Sequence, residues 1–110
     1  MSEPLDERQL ADLAEGVGGE EVLAELLGLY RDGLPRQLDR LRAAVKRGEA
    51  EEVRLAAHAL RSGAAVLGAS LLADTCARLE HVGDLTGVAA ELEHVVAVVA
   101  VTDAALRART

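Results

Sequence analysis

Val53-Arg-Leu-Ala-Ala-His-Ala-Leu-Arg-Ser-Gly-Ala-Ala-Val-Leu-Gly68 is the stretch that decides the fold. Its apolar residues Val53, Ala56, Ala57, Leu60, Ala64 and Leu67 recur at intervals of three and four, which draws one face of an α-helix. Leu and Ala are strong helix formers, and Gly68 stands where a left-handed cap would end the helix. Glu49, Glu51 and Glu52 gather at the start, where carboxylates favour a helix N-terminus. At ~100° per residue His58 lies ~160° from Leu60, on the opposite side of the helix. The spacing therefore places His58 outside the core, with Arg54, Leu55, Arg61, Ser62 and Ala65 around it on the outward face.

The same periodicity continues on both sides. A fourth helix with Leu72, Cys76 and Leu79 inward follows Gly68, and Gly83-Asp84 reads as a stop followed by an N-cap. The last helix is predicted from about Leu85 to Arg107, with Val88, Leu92, Val95, Val99, Thr102 and Leu106 on one stripe. Upstream, a long second helix is predicted from about Glu20 to Arg47, carrying Leu23, Leu26, Tyr30, Leu34, Leu38, Leu41 and Val45. Pro35 inside it predicts a kink or a break, because it cannot donate to the carbonyl of Arg31. Leu5, Gln9, Leu10 and Leu13 suggest a short first helix ending near Gly16, with Gly16-Val17-Gly18-Gly19 as a loop. Short links between amphipathic helices imply antiparallel neighbours. The expected fold class is all-α, an up-down four-helix bundle with a short additional N-terminal helix covering one end, in a single domain over residues 1–110.

Composition agrees with that architecture and excludes several functions. Tyr30 is the sole aromatic residue, so the core must be built from Leu, Val and Ala. A net charge of −7 argues against a nucleic-acid binder and against docking on anionic membranes. The longest apolar run, Val95 to Val101, is too short to span a bilayer. A lone cysteine, Cys76, cannot form an internal disulfide, which suits a reducing compartment, and the N-terminus lacks the pattern of a signal peptide. The cytoplasm is the expected location. Cys76 falls on a core stripe and reads as a small buried hydrophobe. His81 and His94 read as solvated, and no two-His helical pair suggests a metal site. Gly16-Val-Gly-Gly19 lacks the Gly-Lys-Ser/Thr of a phosphate-binding loop, so neither ATP binding nor autophosphorylation is expected.

Glu80 can be placed relative to His58. His58 lies ten residues before Gly68 and Glu80 twelve after it. On antiparallel helices with ~1.5 Å of rise per residue, the two stand at similar height. Glu80 could accept a hydrogen bond from the Nδ1–H of His58, leaving Nε2 as an outward nucleophile. A salt bridge from Glu80 to Arg61 or Arg78 is the alternative, since rotation about the helix axis is not fixed by spacing.

His58-Ala-Leu-Arg-Ser-Gly-Ala-Ala-Val-Leu-Gly-Ala69 resembles the signature of histidine-containing phosphotransfer (HPt) domains, roughly His-x-Leu-Lys/Arg-Gly/Ser-Ser/Ala/Gly-Ser/Ala followed by a Leu-Gly-Ala turn. Leu72, Cys76 and Leu79-Glu80 match the usual continuation. Leu5-Asp6 with Leu10 and Leu13, Leu26-Leu27-Gly-Leu-Tyr30 and Arg47-Gly48-Glu49 extend the likeness over essentially the whole chain. The resemblance implies a four-helix bundle with an extra N-terminal helix. It implies that His58 is the phosphorylated residue, that Arg61 stands in for the Lys that screens phosphoryl oxygens, and that Glu80 holds the imidazole. It implies a phosphocarrier rather than an enzyme, exchanging phosphoryl with an aspartate on the receiver domain of a response regulator or hybrid histidine kinase. No cofactor of its own is implied; Mg²⁺ belongs to the receiver. The expected docking face comprises Arg54, Leu55, Ser62, Gly63 and Ala65, with exposed second-helix residues near Leu34 to Leu38.

Three departures stand out. Arg61 replaces Lys with a planar fork. Ser62-Gly63 inverts the common Gly-Ser order, which shifts the site of closest approach by one residue. Glu49 replaces Asp at the turn, a weaker N-cap. A monomer is expected. The initial Met favours a free-standing chain, although a piece of a larger kinase could begin the same way. A non-chemical helical adaptor or oligomerisation bundle would explain the Leu and Val stripes equally well, but not an outward His flanked by Arg54, Arg61 and small residues.

Overall fold

The computed structural model describes residues 3–81 and 85–110, which form α1 (Glu7–Val17), α2 (Glu20–Arg47), α3 (Ala50–Val66), α4 (Ser70–Glu80) and α5 (Val88–Arg109). No strand occurs among the described residues. α2 packs on α3, α3 on α4, α4 on α5 and α5 back on α2, which closes a four-helix ring, and α1 lies against α2. The start of α2, the α3–α4 turn and the end of α5 meet at one end of the bundle, so neighbouring helices alternate in direction. α1 covers that end. The Asp6 N–H donates to the Gly68 carbonyl at 2.8 Å, the Gln9 amide donates to the Ala65 carbonyl at 2.6 Å, and Arg109 pairs with Glu7 at 2.8 Å.

The core is aliphatic. Leu10, Leu23, Leu27, Leu34, Leu41, Leu60, Leu72, Leu79, Val95 and Leu106 are fully buried. Each large side chain removed from water contributes about 1.5–3 kcal/mol. The buried small residues Ala44, Ala56, Ala57 and Ala64 let the helices approach closely. Gly68 has to be glycine on two counts: its φ is +74°, and a Cβ there would stand 3.3 Å from Leu10 Cγ and 3.4 Å from the Asp6 carbonyl oxygen.

Several local expectations are corrected. α1 runs through Gly16 to Val17 and is closed by Gly18, so the loop shortens to Gly18-Gly19. α2 passes through Pro35 without a break. The local cost of an interior proline, about 3 kcal/mol, is outweighed by burial of Leu34, Leu38 and Leu41 on either side of it. On the same helix Leu27 rather than Leu26 is buried, and Ala44 rather than Val45. α5 starts at Val88 rather than Leu85, behind Gly87 with φ +82°, and continues to Arg109. Gly83-Asp84, read as a stop and cap, lies outside the described residues.

Candidate functional site

α3 and α4 turn back on each other at Gly68-Ala69, and this brings His58 and Glu80 abreast. The His58 side chain is 54% exposed, whereas that of Glu80 is 10% exposed. His58 Nδ1 lies 2.6 Å from Glu80 Oε1, and Arg61 Nε donates to Glu80 Oε2 at 2.6 Å. Both alternatives left open by spacing are therefore realised at once: the two carboxylate oxygens are divided between the imidazole and the guanidinium. Arg78 is not a partner; its Nη1 points at His94 Nδ1 at 3.3 Å.

This arrangement dictates the tautomer. An ionised carboxylate only accepts, so the ring must donate from Nδ1, and in the neutral ring the lone pair is then on Nε2. Arg61 Nη2 stands 3.3 Å from Nδ1. A nitrogen that is already donating its proton cannot also accept, so that approach is a contact rather than a hydrogen bond. Arg61 thus faces Glu80 and the Nδ1 side of the ring. The polar group beside Nε2 is the Ser62 hydroxyl, at 3.5 Å.

Burial by itself would raise the Glu80 carboxyl. The hydrogen bonds from Arg61 and His58, with their charges, outweigh it and hold the group below the ordinary carboxylate value. A folded value below the unfolded one means that this carboxylate contributes stability at neutral pH, which is lost as pH falls through the folded value. Glu80→Gln is therefore expected to flatten the acid limb of a stability–pH curve measured by chemical denaturation. An acid limb identical to that of the parent chain would contradict this.

Beneath the pair, Cys76 is fully buried. Burial, reinforced by the nearby Glu80 charge and only partly opposed by Arg61, pushes its thiol up to about 12. It is inert packing, as its stripe position predicts. Tyr30 reaches across from α2. A Cβ at Gly63 would stand 3.2 Å from Tyr30 Cε1, so the missing side chain is what lets the ring lie against α3. The Tyr30 hydroxyl is buried without a hydrogen-bond partner among the described residues, and its phenol is raised by burial first and by Cys76 second.

Of the residues expected on the docking face, Arg54, Leu55, Ser62 and Ala65 are exposed, and Arg54 is tied to Glu51 at 3.1 Å. Gly63 is half-buried against Tyr30. The Leu34–Leu38 stretch opens elsewhere. Leu34 and Leu38 are buried, and with Pro35 they line a groove shared with Val99, Asp103 and Arg107 of α5. Helical phase explains the difference, because these positions turn toward α5 while Tyr30 turns toward α3. The Tyr30–Gly63 contact was not anticipated. Its one sequence signal is a glycine in a helix interior, where Ala would be about 1 kcal/mol better. Among the described residues no three His, Cys, Asp or Glu side chains cluster as metal ligands, and no helix is long and apolar enough to cross a membrane.

Comparison with known proteins bears on this geometry. The fold is similar to the crystal structure of histidine-containing phosphotransfer protein B (HptB) from Pseudomonas aeruginosa PAO1. The TM-score is 0.88 and the identity 30%, over 97% of this chain and 94% of that one. No curated protein sequence matches significantly. The sequence profile of the Hpt domain matches residues 25–109, a span that takes in α3 and α4 with the imidazole and carboxylate they bring together. The chain belongs to the Hpt domain family.

Proposed function

We propose that this chain is a phosphocarrier that exchanges a phosphoryl group between Nε2 of His58 and the aspartate of a receiver domain. One observation carries the reading: the ring is held from its Nδ1 side by a mostly buried carboxylate, while the ring itself is more than half exposed. Hpt domains act as histidine phosphocarriers in phosphorelays and interact there with receiver domains. The adaptor reading gives no reason to place Glu80 against an imidazole.

The step balances simply. The Nε2 lone pair attacks phosphorus of the aspartyl phosphate, the N–P bond forms, and the P–O bond breaks with its electron pair leaving on the aspartate carboxylate. The ring keeps its Nδ1 proton and becomes cationic. Glu80, already ionised beside that proton, stabilises the cation without rearrangement. Arg61 keeps Glu80 ionised and oriented from the Nδ1 side of the ring. The receiver supplies its acidic pocket and Mg²⁺. Catalysis is then positioning and charge stabilisation. Docking is transient and centres on Arg54, Leu55, Ser62, Gly63 and Ala65. The carrier works as a monomer in the cytoplasm, and the receiver belongs to a response regulator or hybrid histidine kinase.

Incubation with a phosphorylated receiver domain is expected to move acid-labile, alkali-stable phosphate onto this chain. Absence of transfer from a panel of receivers of the same organism would contradict the reading. Glu80→Ala is expected to slow transfer roughly tenfold to a hundredfold, the range found when the partner that orients an imidazole is removed from metal sites. An unchanged single-turnover rate would reject its orienting role.

A further inference from the structure

We infer that the Ser62 hydroxyl is the donor this site presents to the phosphoryl group on His58, a task that the resemblance to phosphotransfer domains gives to Arg61. The inference rests on the proposed function and assigns a positioning residue within it.

Two observations combine. Arg61 is committed elsewhere. Its Nε is bonded to Glu80 at 2.6 Å, and its Nη2 lies by Nδ1, the nitrogen that does not react. Ser62 is one helical turn beyond His58 on the same face, and its Oγ stands 3.5 Å from Nε2, the nitrogen that does. At that distance the hydroxyl makes at best a weak bond to the ring itself. A phosphoryl group on Nε2 carries its oxygens two bonds further out, into the space the hydroxyl borders. A serine hydroxyl turns freely to donate, and phosphoryl oxygens are strong acceptors. Ser62 is exposed and packs no core, so its side chain has no structural duty that would mask its removal. The inverted order Ser62-Gly63 thereby acquires two reasons: the hydroxyl sits by Nε2, and the glycine sits under Tyr30.

Phosphoramidate tests this without a protein partner. Nε2 attacks its phosphorus and a new N–P bond forms, the N–P bond to the ammonium nitrogen breaks, neutral ammonia leaves, and the ring keeps its Nδ1 proton, donated to Glu80. At mildly alkaline pH and a fixed ratio of phosphoramidate to ammonia, the ratio of phosphorylated to free chain reads the stability of the phosphorylated form. Ser62→Ala is expected to lower that ratio about threefold to tenfold, the size of one net hydrogen bond. Ser62→Thr, which keeps the hydroxyl, should stay within about twofold of the parent chain on the same reasoning. The phosphorus NMR resonance should move in the Ala variant and not in the Thr variant. An Ala variant with the parent ratio and resonance overturns the inference alone, as does a Thr variant that behaves like Ala. A parent chain that takes no label, or a His58→Gln chain that labels normally, overturns the functional reading and this inference with it.

Discussion

Replacing His58 with Gln is expected to abolish phosphoryl acceptance while leaving the fold intact. Gln has no ring nitrogen with a free lone pair, so the nucleophile is removed rather than weakened. The rest of the site survives, because Arg61 still holds Glu80 through Oε2. The side chain is 54% exposed and lies opposite the core, and Gln suits a helix at least as well as His. Stability should therefore fall by no more than about 3 kcal/mol, the upper worth of the one charge-assisted hydrogen bond to Glu80 that is altered. Acid-labile label and thermal melting, measured on the same preparation, separate loss of chemistry from loss of structure. Label that persists in a folded His58→Gln chain would move the acceptor elsewhere, with His81 and His94 the first candidates.

The second large effect is the mirror image of the first. Leu60 follows His58 by two positions on the same helix, yet it is fully buried. Leu60→Ala removes buried methyl groups and leaves a cavity that a close-packed bundle only partly closes, at a cost of about 3–5 kcal/mol. Against a total stability of roughly 5–15 kcal/mol that is a large fraction. At about 4–8 °C per kcal/mol for a chain near this size, the melting temperature should fall by roughly 12–40 °C. Well below that melting point the folded fraction should still accept phosphate, because the pair facing solvent is untouched. Leu55→Ala, on the exposed side of α3, should cost no more than about 0.5 kcal/mol. A Leu60→Ala chain destabilised by less than about 1 kcal/mol would mean that this face is not the core.

α3 was legible because its two faces differ in kind. Val53, Ala56, Ala57, Leu60 and Ala64 alternate strictly with Arg54, His58, Arg61 and Ser62, so phase and exposure follow from spacing alone. The juxtaposition of His58 and Glu80 followed from similar distances, ten and twelve residues, to a turn that glycine makes without strain. What spacing left open was rotation about the α4 axis. It therefore offered Arg61, Arg78 or His58 as partners, and the structure satisfies two of them with one carboxylate. α2 does not break at Pro35, because a local rule worth about 3 kcal/mol is opposed by leucines whose burial depends on helices distant in sequence. Its inward positions slipped by one at Leu26 and Leu27 because a long helix buries different flanks against different neighbours. The orientation of Arg61 is the deepest case. A guanidinium can fork between two acceptors, so its position in a motif tells where its charge is and not which group its Nε bonds.

Glu80 holds the His58 ring by its Nδ1 proton and leaves Nε2 free to carry phosphorus. Long-range proton–nitrogen NMR correlations of that ring, recorded before and after phosphorylation with phosphoramidate, test it directly. The predicted result is a neutral ring protonated on Nδ1 in the free chain and phosphorus bonded to Nε2 in the labelled one. A ring protonated on Nε2, or phosphorus bonded to Nδ1, would contradict it.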